Sequence, residues 1–172
     1  EYAVSDWAAI FVKEDMKILS GIHTLPYILF TLAMIIGRLN LHNLMPHYTI
    51  DFLMVRASLL SGLSFITGIV AVSIAGTSNR TLVLVILSIS FTIAGLGSSF
   101  LGPSVMNAAN TRSKFPSSVV IGQIGVINIA LVFVMRWVIA WTAQATSLSI
   151  ALCIPALMLL VVPKFSKIFK KA

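Results

Sequence analysis

The sequence predicts an all-α polytopic membrane protein, a helical bundle in which residues 1–172 form a single transmembrane domain. Three observations carry that reading. Five apolar stretches, at about 20–36, 57–76, 81–102, 117–143 and 146–162, each come close to or exceed the ~20 residues that cross the hydrocarbon as a helix. The composition is 58% hydrophobic and 10% charged, with mean hydropathy +1.01, which suits a chain dissolved in lipid better than a soluble core of this length. The longest polar connection, about 40–51, leaves no room for a separate water-soluble domain.

Taken in order, the chain opens with an apolar run at 3–12, too short to span alone. No Met, basic n-region or small-residue cleavage site precedes it, so it does not read as a signal peptide. The expectation is a partial helix in a piece of a longer protein, whose missing part begins with the other half of this helix; the alternative is a complete chain with a short interfacial segment. The first full span, 20–36, carries Pro26 and the second to last apolar stretch is followed by 146–162 with Pro155; each proline removes a backbone hydrogen bond and can kink its helix. The connection at 40–51 holds His42, Pro46 and His47, and two histidines five apart with no third ligand make no metal site. Short loops near Asn79, Ser113 and Gln144 make consecutive helices antiparallel neighbours. Cys153 stands alone in an apolar helix, which excludes a disulfide or a thiolate cluster within this sequence.

The net charge of +7 is distributed by membrane side rather than gathered into a nucleic-acid patch. With a cytoplasmic C-terminus, Arg38, Arg56, Arg112, Lys114, Lys164, Lys167, Lys170 and Lys171 fall inside, against Lys13, Lys17 and Arg80 outside, and the positive-inside rule selects that orientation. The basic tail, 163–172, then anchors on the anionic inner leaflet. The expected location is a plasma membrane, the inner one in a bacterium, with lipid as partner and neither nucleic acid nor a cofactor.

Inside the spans, small residues and ionisable groups carry the information. Ala94, Gly95, Gly97, Ser98, Ser99 and Gly102 precede Pro103, and such runs let helix backbones approach closely. Gly95 and Ser99 form one row, and Ala94, Ser98 and Gly102 a second; a sliding seam and a static contact are both compatible with them. Asp6 and Arg136 lie at matching depth, roughly 10 Å below the outer surface at 1.5 Å per residue, which predicts an ion pair or a shared aqueous cavity. Arg136 could instead snorkel to the headgroups. Glu1 is expected near the bilayer middle, where a protonatable role is natural. Gln123 and Asn128, about 140° apart on the helical wheel, face either a polar cavity or a neighbouring helix. His23 and Tyr27, one turn apart, are weak substrate or proton-site candidates. Trp7, Trp137 and Trp141 lie where an aromatic belt is expected.

Three local patterns, in order along the whole chain, resemble the C-terminal half of a major facilitator superfamily transporter, from the end of helix seven through helix twelve, in the branch of fucose-permease-like sugar permeases. Glu1-Tyr2-Ala3-Val4-Ser5-Asp6-Trp7 resembles the acid, small-residue and Asp-Trp ending of helix seven. Met34-Ile35-Ile36-Gly37-Arg38-Leu39 resembles the Gly-Arg-Leu at the cytoplasmic end of helix eight, and Gly95-Leu96-Gly97 with Gly102-Pro103 resembles the glycine-rich stretch and proline of helix ten. Two stretches depart from the pattern: Asn40-Leu41-His42 holds no Asp after Gly-Arg-Leu, and Val132-Phe133-Val134-Met135-Arg136-Trp137 replaces a Gly-Pro-Pro turn.

The resemblance implies an alternating-access secondary transporter of a small solute, sugar-like or another small polar molecule, ion-coupled as in symport, and completed by the missing N-terminal half. Gly37, Arg38 and Pro103 become gate candidates, with Arg38 equally readable as a positive-inside anchor. Glu1, Asp6, His23, Tyr27, Gln123, Asn128 and Arg136 become candidates for contact with the substrate or a coupling ion. An enzyme is disfavoured, because Ser98 and Ser99 have no base nearby and Glu1 and Asp6 sit on one helix instead of converging from two. The alternative function is a non-transporting membrane scaffold or assembly subunit, which gains little from Asp6 and Arg136.

Overall fold

The computed structural model describes residues 1–18, 21–44, 49–75 and 79–165. His47 of the predicted loop, and Lys167, Lys170 and Lys171 of the predicted basic tail, lie outside the described residues. Helix α1 spans Tyr2–Asp15, a 3-10 turn spans Gly21–Thr24, and α2 to α7 span Leu25–Leu44, Ile50–Ala75, Arg80–Ser98, Leu101–Arg112, Ser117–Ala145 and Leu148–Phe165. Strands are absent among the described residues, and five segments are long and apolar enough to cross a membrane. The molecule is an all-α, multi-pass membrane protein.

Every apolar run becomes helix, but the helices outlast the runs. Helix α2 continues past Ile36 to Leu44 because the stretch from Gly37 onward contains no further Gly or Pro until Pro46. Asn40 turns its amide back onto its own helix, donating to the Ile36 carbonyl at 2.8 Å. His42, expected in a loop, therefore falls within α2.

The third apolar run does not stop at Gly102. The chain turns at Ser99 and Phe100 and resumes as α5 to Arg112. Pro103 explains the break: it has no N–H for the Ser99 carbonyl and its ring crowds that oxygen, while in the first turn of α5 the missing donor costs nothing. Ser98 and Ser99 add to the turn by donating to the Gly95 and Leu96 carbonyls at 3.1 and 2.6 Å, bonds that bend helices.

Helix α4 sits at the centre, packed on α2 and α3, and α3 packs in turn on α7. Glycines permit it. A Cβ at Gly95 would fall on the Phe30 carbonyl oxygen of α2, and one at Gly97 would come within 2.6 Å of the Ala57 carbonyl of α3. Gly37 is buried against Ser99, whose side chain occupies the place of its absent Cβ. The predicted row Gly95 and Ser99 thus faces α2. Of the second row, Ala94 and Ser98 are buried, whereas Gly102 is exposed with nothing near it. Ser61 ties α3 to α4 by donating to the Ala94 carbonyl at 2.8 Å. Phe65 and Phe91 pack with ring centroids 4.9 Å apart, within a core that also takes Phe11 and Val12 from α1, Met16 at its C-cap and Leu152 from α7.

Helix α6 is different. Only Val120 and Ile139 are buried along its length, although it is apolar on all sides. Phe133, Trp137 and Trp141 stand well exposed, the two tryptophans stacked 6.3 Å apart. A helix hydrophobic all round and covered on little of its surface requires lipid or further protein around it.

Candidate functional site

Two acids stand at the start of α1, Glu1 at its N-cap and Asp6 within it, five residues apart. That spacing turns them about 140° from each other, so one helix can hold two different neighbours. Both are held by arginines. Arg38 of α2 places Nη2 2.8 Å from Oε1 and from Oε2 of Glu1. Arg136 of α6 places Nε 2.6 Å from Asp6 Oδ2 and donates from Nη2 to Oδ1 at 3.1 Å. One nitrogen of Arg38 thus bridges both oxygens of Glu1, whereas two nitrogens of the Arg136 guanidinium face the two oxygens of Asp6, with one hydrogen bond and one close ionic contact. The Arg136 guanidinium also lies over the Tyr2 ring, 5.5 Å from its centroid, a cation–π distance.

The Asp6–Arg136 pair is one of the two arrangements that matching depth predicts. Each residue stands nine positions before the end of its helix, at Asp15 and Ala145, so two parallel helices bring them level. The Glu1–Arg38 pair was not anticipated, since the resemblance puts Arg38 at a helix end. Helix α2 runs on for six residues beyond it, and the antiparallel hairpin of α1 and α2 sets Arg38 level with Glu1. Counting residues outward from the turn on both arms would have found it.

Between α1, α6 and α7, floored by α3 and α4, lies a cavity of about 290 Å³. Glu1, Tyr2 and Arg136 are its polar rim, and Phe30, Phe65, Met135, Ile139, Met158 and Leu159 are among its apolar walls. Ser61 and Ser98 also reach it, but their hydroxyl protons are committed to backbone carbonyls. At the far end of α1, Ser149 donates to Asp15 Oδ2 at 2.6 Å and fixes α1 to α7.

The other candidates lie elsewhere. Gln123 borders a shallow hollow on the outside of α6 with Val119 and Val126, and Asn128 is exposed on the same helix. His23 belongs to the 3-10 turn, and Tyr27, one turn into α2, packs against the core. Pro103 sits in the first turn of α5, and Gly37 is a packing contact between α2 and α4. None of these six lines the cavity.

Over 162 residues the chain is similar to an uncharacterized MFS-type transporter of Yersinia pestis, with 27% identity. The likeness is to a major facilitator transporter. It covers 94% of this chain and 40% of that protein, so the chain spans well under half of the relative's length. No family model matches the chain, and no solved structure matches it.

Proposed function

We propose that the chain forms the C-terminal half of a major facilitator secondary transporter, in which two helical halves rock around a shared polar path and carry a small solute across the membrane. The observation that carries this reading is the exposure of the two ion pairs. Arg38 and Glu1 are 44% and 33% exposed, and Arg136 and Asp6 are 51% and 30% exposed, on helices that are otherwise apolar. Hydrocarbon does not accept such groups without a cost of kilocalories, so the face that bears them meets water or the polar surface of another part of the protein. A scaffold has no need of that arrangement.

The chemistry follows from the pairing. A coupling ion that competes for Glu1 or Asp6 weakens that carboxylate's hold on its arginine, releasing α1 from α2 or from α6. Because α1 carries both acids, loosening one pair leaves the other as a pivot. This gives a route by which an ion could be coupled to solute movement in symport, with Arg38 acting as the gate residue and the cytoplasmic C-terminus set by the basic residues. The similarity to an MFS-type transporter supports the transport reading, and the sugar-permease branch rests on the three local patterns.

The test is solute flux into proteoliposomes containing the full protein, with and without a proton gradient. Flux should be lost in Asp6→Asn and in Arg136→Gln and kept in part by Arg136→Lys, which retains the charge of the pair. A protein whose single variants support undiminished flux, or which moves no solute while still assembling with a membrane partner, is a scaffold.

A further inference from the structure

Resting on the transport reading, the cavity narrows the class of solute. Its walls offer almost nothing to a sugar, which needs several uncommitted amides or carboxylates around its hydroxyls. The lining contains no Asn or Gln, and the hydroxyls of Ser61 and Ser98 are already donated to the carbonyls of Ala94 and Gly95. What the rim does offer is one carboxylate and one guanidinium. Glu1 and Arg136 both line the cavity, while the partners that hold them, Arg38 and Asp6, do not. Tyr2, which follows Glu1 in the chain, lines the same cavity and lies under the Arg136 guanidinium at 5.5 Å. The space beyond is apolar and aromatic, bounded by Phe30, Phe65, Met158 and Leu159.

We infer that this cavity binds a small amphipathic zwitterion, an α-amino-acid-like solute whose ammonium meets Glu1, whose carboxylate meets Arg136 and whose branched aliphatic or aromatic side chain fills the apolar space. A rim of one negative and one positive group is neutral overall and matches a neutral dipolar ligand. A solute with only a carboxylate would bring it beside Glu1, and one with only an ammonium would bring it beside Arg136, each leaving one rim charge without a ligand partner. Arg38 and Asp6 hold the rim charges from outside, so they are oriented before the solute arrives and little ordering is left for binding to do.

The experiment uses the full protein in lipid nanodiscs with tritiated L-leucine as the probe and 4-methylpentanoate, 3-methylbutylamine and D-glucose as competitors. The first two share the leucine side chain with one charge each, and glucose shares neither the side chain nor a charge. L-Leucine should bind, both single-charge analogues should compete at least about tenfold more weakly, and glucose should not compete. Glu1→Gln should narrow the gap between leucine and 4-methylpentanoate, and Arg136→Gln the gap to 3-methylbutylamine. Arg136→Lys keeps the charge and should keep the order of affinities. Met158→Trp, at a half-exposed wall position, should weaken leucine binding without touching either charge. Equal competition by all three leucine-like compounds marks an apolar or acyl-chain site and overturns the inference, as do competition by glucose and a failure to bind leucine. Flux of another solute class that still needs Asp6 and Arg136 overturns it too, while leaving the transport reading standing. Leucine binding with the predicted rank order but no flux of any solute sustains this site and removes the transport reading instead.

Discussion

Removing one member of the Asp6–Arg136 pair should not cost the same from both ends. A guanidinium stays charged at every pH a protein survives, whereas a carboxyl left without its partner can be neutralised by a proton. Asp6→Asn therefore strands a permanent cation, and Arg136→Gln strands a group that can discharge itself. An arginine alone at the centre of a span costs about 2.5–3.5 kcal/mol on insertion scales. Arg136 is 51% exposed and stands about 13 Å from the end of α6 at 1.5 Å per residue, so partial hydration and its contact with Tyr2 reduce this to about 1–2 kcal/mol. We expect Asp6→Asn to destabilise by that amount, Arg136→Gln by about half as much, and the double variant by less than the sum, with a coupling of about 1 kcal/mol. The assay is equilibrium unfolding in mixed micelles at neutral pH, read by helix content. Additive single effects, or an Arg136→Gln variant weaker than Asp6→Asn, would refute the reasoning.

Other expectations follow from the helix contacts. Gly95→Ala must push α4 off the Phe30 carbonyl and should cost about 1–3 kcal/mol, whereas Gly102→Ala, with nothing within 4 Å, should be neutral or slightly stabilising; thermal midpoints of the two decide it. Ser61→Ala loses the bond to the Ala94 carbonyl and should cost about 0.6 kcal/mol, the average for interhelical hydrogen bonds in membranes, in the same unfolding assay. Lys17 leaves α1 with φ 53°, a left-handed conformation that costs about 1–2 kcal/mol outside glycine. Lys17→Gly should therefore raise stability by about 0.5–1 kcal/mol after the entropy that glycine adds to the unfolded chain, measured as an upward shift in midpoint.

The sequence made some of this legible and not the rest, for physical reasons. Helices in lipid announce themselves by hydropathy, so the apolar elements were readable from their length, whereas the polar helix α5 was not. Their ends were not, because a helix continues through polar residues until something stops it: α2 passes Arg38, Asn40 and His42 with nothing to break it. The apolar run ends at Gly102, yet a proline is at ease in the first turn of a new helix, so Pro103 does not end the helical path. Depth arithmetic was enough to bring Asp6 to Arg136, since both helices run the same way and end level. It failed for Glu1 and Arg38 because the end of α2 had been set too early. The facing of Gln123 and Asn128 was beyond reach: a helix apolar on every side gives no stripe from which to read orientation, and α6 leaves both exposed. The cavity was equally hidden, since it depends on how α6 and α7 diverge from α1, which no periodicity records.

The central claim is that the two ion pairs face a water-filled path that opens to one side of the membrane at a time. Cysteines placed singly at Ala3 and Val132, which line the cavity beside the pairs, in the full protein with Cys153 and any other cysteine replaced, report this through a membrane-impermeant thiol reagent applied to oriented vesicles. The account predicts labelling at both positions, from one side or the other according to state, with transported solute shifting the balance between the sides. Positions that react only with a lipid-soluble reagent, unchanged by solute, would place both pairs in a dry seam and contradict it.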